Sequence, residues 1–117
     1  MPDETLERLI ARFARAAANH HAALEKMDEE EANRQAIMIG RLFAGIVEHG
    51  AGGRMKLLAL LSSDQPAVAG MAAVYSLRTA TQVALPVLRR IAGEPGLLGF
   101  RASMAIERWE RGEWELD

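Results

Sequence analysis

A run of apolar positions near the start of the chain narrows the fold more than any other feature. Leu6, Ile10, Phe13, Ala17, His20, Leu24 and Met27 follow one another at steps of 4, 3, 4, 3, 4 and 3. Such steps keep every member on one face of an α-helix, whereas a strand turns successive side chains to opposite faces. Unbroken, this helix covers about 25 residues and roughly 37 Å; a break near Asn19 is the alternative. Asp3 is placed to cap it, and Glu4 and Glu7 sit near the positive end of its dipole.

Helical signals continue to the other end. In "MDEEEANRQ", Asp28 followed by Glu31 is a D-x-x-E variant of the capping box. The helix it opens carries Ile39, Leu42, Phe43, Ile46 and Val47 on one side and stops at "HGAGG", where Gly50, Gly52 and Gly53 favour a turn. "RMKLLALL" reads as a short helix. In "SSDQP", Ser63 or Asp64 can cap, and Pro66 suits a first helical turn, where its missing N–H costs nothing. Thr81 can cap a helix Gln82–Ala92, with Pro86 near the edge of the tolerated first turn. A last helix is expected from Pro95 to about Arg111. No alternating strand pattern occurs, so the expected class is all-α, with about six helices.

Composition limits the rest. A chain of 117 residues suits one domain, residues 1–117, with an N-terminal helical hairpin over 1–50 and repeat units over 54–114. It has no cysteine, which rules out disulfides, a thiolate nucleophile and Cys-ligated zinc. The start lacks the basic region and apolar run of a signal peptide, and no stretch has the length of a membrane span. A cytoplasmic location is the expectation. The formal net charge of −2 argues mildly against a dedicated nucleic-acid binder.

"PAVAGMAAVYSL", residues 66–77, and "PGLLGFRASMAI", residues 95–106, align at a spacing of 29 residues. Pro66 pairs with Pro95, Gly70 with Gly99, Met71 with Phe100, Ala73 with Ala102 and Leu77 with Ile106. Two similar Pro-initiated helices separated by one other helix make a helical-hairpin repeat whose units must stack to bury their faces. "LLALLSSDQPAVAGMAAVYSL" resembles the HEAT-type pattern of a leucine-rich helix, an Asp-containing turn, Val, then Ala-Ala and Leu in the next helix.

More specifically, "EEEANR", "LLALLSSDQPAV", "AAVYSL", "ALPVLRRIA" and "LLGFRASMAIERWERGEW", in that order over roughly residues 30–114, resemble a small bacterial family, domain of unknown function number two thousand and nineteen. The resemblance implies an α–α superhelix with HEAT-like repeats in the C-terminal half and no assigned activity. The chain departs from the HEAT pattern where a basic residue usually follows the Val of the second helix. Here Ala69 and Leu98 occupy that place.

Candidate chemistry is sparse. His21 and Glu25 lie four apart on one helix face, but two ligands do not make a metal site, and the only remaining histidines are His20, on the apolar line, and His49. The acidic run Asp28–Glu31 coincides with a helix start, where negative charge is favoured in any case. There is no Walker loop, nucleophile elbow, zinc-protease helix or dinucleotide fingerprint. "GAGG" at 50–53 lacks the strand–loop–helix setting of a phosphate cradle and reads as a turn. No enzyme activity, metal or cofactor is therefore expected.

Arg8, Arg12 and Arg15 form a stripe at steps of 4 and 3, with Arg34 and Arg41 on the second helix. The stripe can meet an acidic partner or phosphate, but no aromatic residue shares its helix face for base stacking. Tyr75 can present its hydroxyl on an outer face. Trp109 continues an apolar line into the core. Trp114, after Gly112, has two placements: exposed, as an interface anchor, or folded back as a cap on the last helix. The expected role is a non-catalytic protein-interaction module, immunity-type or regulatory, using Arg8, Arg12, Arg15, Arg34, Arg41, Tyr75 and Trp114. The alternative is a nucleic-acid-binding repeat protein using the Arg stripe. The 3–4 repeat of the first helix and the open ends of a short stack also suit homo-oligomerisation.

Overall fold

The computed structural model describes residues 3–114, with side chains from Thr5 onward. The expected Asp3 cap and the position of the Glu4 charge fall on side chains outside that range. The described residues form six α-helices and one short 3-10 turn, and contain no strand: α1 (Asp3–Glu25), α2 (Glu29–Val47), α3 (Ala51–Ala59), the 3-10 turn Leu60–Ser62, α4 (Pro66–Ser76), α5 (Thr81–Ala92) and α6 (Gly96–Glu110). The all-α class read from the periodicity is the class observed. No described helix is long and apolar enough to cross a membrane. The contacts divide the chain into one unit that ends at Leu60 and another that begins at Leu61.

In the first unit α1, α2 and α3 each pack on the other two. The helix α1 runs through Asn19 without a break. Leu6, Phe13 and Ala17 of its apolar line are buried, Phe13 completely. Met27 leaves the line: it lies beyond the helix with φ 60° and is 87 % exposed. The cause is the tight link to α2. Asp28 donates its N–H to the Ala23 carbonyl at 2.9 Å, and Met27 to the Leu24 carbonyl at 3.0 Å, which closes α1 through a left-handed residue.

Asp28 then caps α2, its Oδ1 accepting the Glu31 N–H at 3.1 Å. The return arm of the capping box is not made, because the Asp28 N–H is already spent on α1. The Glu31 carboxylate instead accepts from Gln35 Nε2 at 2.8 Å and from Arg34. The inner side of α2 buries Ile39, Leu42, Phe43 and Ile46, and the Arg54 guanidinium lies 5.7 Å from the Phe43 ring centroid. The "GAGG" turn is shorter than expected. Only Gly50, at φ 68°, breaks the helix, while Gly52 and Gly53 belong to α3. Gly53 is buried against the Ile46 carbonyl, where a Cβ would collide with backbone.

In the second unit α5 packs against both α4 and α6, which also touch. Pro66 is the first residue of α4, as its missing N–H favours. Neither Ser63 nor Asp64 caps that helix; Ser63 Oγ accepts the Gln65 N–H at 3.1 Å and holds the turn instead. Thr81 is likewise no cap. It is the first residue of α5, and its hydroxyl donates back to the Leu77 carbonyl at 2.6 Å. Pro95 stands just outside α6 in an extended conformation, so the two prolines of the repeat occupy successive, not identical, positions.

The repeat holds at its alanine pair and not at its glycines, since Gly99 is buried and Gly70 half-buried. Ala73 and Ala102 are both buried. It also diverges at larger residues: Leu77 is buried while Ile106 is half-buried, and Met71 is half-buried while Phe100 is 62 % exposed.

Candidate functional site

The arginines of the expected surface are exposed, but they differ in their surroundings. Arg8, Arg12 and Arg15 lie exposed along α1, and Arg41 is exposed on α2. Arg34 is held by Glu31 through two nitrogens, with Glu30 at 3.9 Å. The same contacts hold the Glu31 carboxyl below the usual range, first through the Gln35 hydrogen bond and then through Arg34. His21 Nε2 lies 3.3 Å from Glu25 Oε2, as the spacing implied. Among the described residues no three His, Asp or Glu side chains are grouped to hold a metal ion.

Tyr75 does not project freely from α4. It is half-buried, and burial raises its phenol above the ordinary tyrosine range. Trp109 is half-buried rather than sealed in a core. Trp114 folds back against it, the two rings meeting edge to face at 5.8 Å and 85°. The turn at Gly112, with φ 76°, brings the chain round, and Arg78 Nη2 donates to the Trp114 carbonyl at 2.8 Å. The indole N–H of Trp114 is buried with no acceptor among the described residues.

Trp114 thereby joins the lining of a groove of about 960 Å³ formed within the second unit. One wall is α4, which contributes Gly70, Met71 and Val74; Gly70 is small enough that even an added Cβ would stand 3.4 Å from Ile91 Cδ1. Leu88 and Ile91 of α5, both buried, make the floor. The other wall is α6, with Leu98, Phe100, Arg101, Met104 and Arg108. Methionine and phenylalanine provide large apolar contact area, and methionine adapts its shape at low cost. Burial against this wall lowers the Arg101 pKa, because the guanidinium has lost part of its hydration. The groove is thus a largely apolar trough whose charged lining residues are Arg101, Arg108 and Glu113 among the described residues.

Of the expected surface residues only Trp114 lines this groove. The signal for the others is in α6 itself. Leu97, Leu98, Phe100, Met104 and Ile106 spread around the helix instead of keeping to one stripe, so a single packing face leaves some of them outside. Leu98, where HEAT-like units place a basic residue, is one of these lining positions.

The fold is similar to that of the protein RPA1889 from Rhodopseudomonas palustris CGA009, known from a crystal structure. The TM-score is 0.85 at 20% sequence identity, over 96% of this chain and 93% of that one. At that identity the likeness shows the fold alone. No family model matches the sequence, and no curated protein does.

Proposed function

We propose that this chain is a non-catalytic protein-interaction module of HEAT-like design, regulatory or immunity-type, that holds a partner protein in the groove between α4 and α6. The observation that carries the reading is Phe100, a large apolar side chain 62 % exposed on the wall of an apolar trough. Exposed apolar surface of this kind is costly to keep in water and is characteristic of surfaces that bind. Trp114 and the arginines of α6 belong to the residue types enriched at binding hot spots. The resemblance to the bacterial family of unknown function fits this reading and adds no activity to it.

The test is affinity capture from cells of the source organism with three full-length baits: the wild-type chain, Phe100→Glu, and the triple variant Arg8→Glu, Arg12→Glu, Arg15→Glu. The reading expects a stoichiometric partner that is lost with Phe100→Glu and retained by the triple variant. A partner that ignores Phe100→Glu contradicts it.

The second reading, nucleic-acid binding, draws support from Arg8, Arg12 and Arg15, exposed at helical spacing on α1. It requires a salt-dependent shift with DNA or RNA. Absence of binding at ~50 mM salt, where phosphate contacts are strong, removes it.

A further inference from the structure

We infer that residues 111–114 form a strap that opens and recloses by turning about Gly112, and that this movement sets part of the lining of the groove. The movement is a property of the chain itself, whatever the groove holds. The strap begins where α6 stops at Glu110. The Glu113 N–H donates to the Arg108 carbonyl at 2.9 Å, and the Gly112 N–H to the Trp109 carbonyl at 3.1 Å. With Gly112 at φ 76°, these bonds form the helix-end motif that turns a chain back on its own helix. A Cβ added at Gly112 would meet nothing within 4 Å, so backbone conformation, and not space, calls for glycine there.

Past the turn, Trp114 is held by Arg78, whose Nη2 donates to its carbonyl at 2.8 Å, and by Trp109, which its ring meets edge to face at 5.8 Å. The three residues between α6 and Trp114 are exposed. Arg111 reaches back to Glu107 at 2.9 Å and so adds no hold on the strap.

One cost stands against these contacts. The Trp114 indole N–H is buried and finds no acceptor among the described residues. Leaving a buried donor unpaired costs about what one hydrogen bond or one aromatic pair returns. Opening gives the N–H to water and gives up the contacts with Arg78 and Trp109, so the closed and open strap lie close in free energy. The core beneath is built from Ala73, Leu77, Leu88 and Ile91, all buried, and stays packed when the strap leaves. An end segment with few buried contacts is where local opening is cheapest. Glu113 and Trp114 both line the groove, so an open strap withdraws both and leaves α4, α5 and α6 as its sides.

The test uses the full chain carrying Trp109→Phe, which keeps a ring at that position and leaves Trp114 as the sole tryptophan. Acrylamide quenching of its fluorescence is read beside far-ultraviolet circular dichroism along a urea series. Gly112→Ala, which strains the closed turn, and Arg78→Gln, which removes the donor to the Trp114 carbonyl, should each raise the open population about fivefold. Stronger quenching and red-shifted emission should report it, with the helical signal and its urea midpoint unchanged. Gly112→Asn, which tolerates the left-handed conformation better, should open the strap less than Gly112→Ala. Quenching that stays at the parent level in either Gly112→Ala or Arg78→Gln overturns the inference. So does quenching that rises only as the helical signal falls, because Trp114 is then part of the core and not a strap.

Discussion

Single side chains carry more of this fold than their chemistry suggests. Gly53 is the plainest case, because its missing Cβ leaves room for the Ile46 carbonyl. Gly53→Ala should cost about 2 kcal/mol or more, as overpacking against backbone does, and a urea melt followed by circular dichroism will show it. Phe13, with no exposed surface, should cost about 3–5 kcal/mol as Phe13→Ala. Tyr75 is the only tyrosine in the chain, so its titration can be followed directly in the ultraviolet. Burial raises its pKa, so the folded state favours the neutral phenol. That contribution to stability is complete below the ordinary tyrosine pKa of about 10 and is lost as pH rises through the higher folded value. The tyrosinate band should therefore appear above pH ~10, and Tyr75→Phe should remove the associated alkaline loss of stability. Phe13 was legible as core from its place in the 4–3 series. The role of Gly53 was not, since a Gly-rich run looks the same whether it makes a turn or admits a neighbouring carbonyl.

Helix ends are where sequence and structure part most often, for one recurring reason. Each end has several polar groups able to satisfy the same N–H or carbonyl, and tertiary position decides between them. Asp28 was legible as a cap because its spacing to Glu31 is specific, and Asp28→Ala should lower stability by about 1 kcal/mol. The left-handed residue just before it was not legible, because glycine usually marks that position and methionine stands there. Relief of that conformation predicts a gain of about 0.5–1 kcal/mol for Met27→Gly, measured by the same urea melts. Ser63 and Thr81 bond to the turns that precede their helices, where a capping reading looks ahead. At α6 the offset of Pro95 from the position of Pro66 shows that a repeat in residues need not be a repeat in helix register.

At the scale of the molecule, the class of fold was legible throughout, because every segment of sufficient length carried a helical period and none alternated. The groove was not. Its walls come from helices 29 residues apart in the repeat, its floor from a third helix, and part of its lining from a tryptophan beyond the last helix. No local pattern places those side chains together; of them, Trp114 alone stands out in the sequence, by its position after Gly112. The arginines of α1 were the more conspicuous signal because charge at regular spacing is visible in one dimension. Site-specific photo-cross-linking in cells of the source organism separates the two surfaces, with benzoylphenylalanine placed at position 100 in one full-length chain and at position 12 in another. The account predicts one discrete protein adduct from position 100 and none from position 12. An adduct from position 12 with none from position 100 would contradict it.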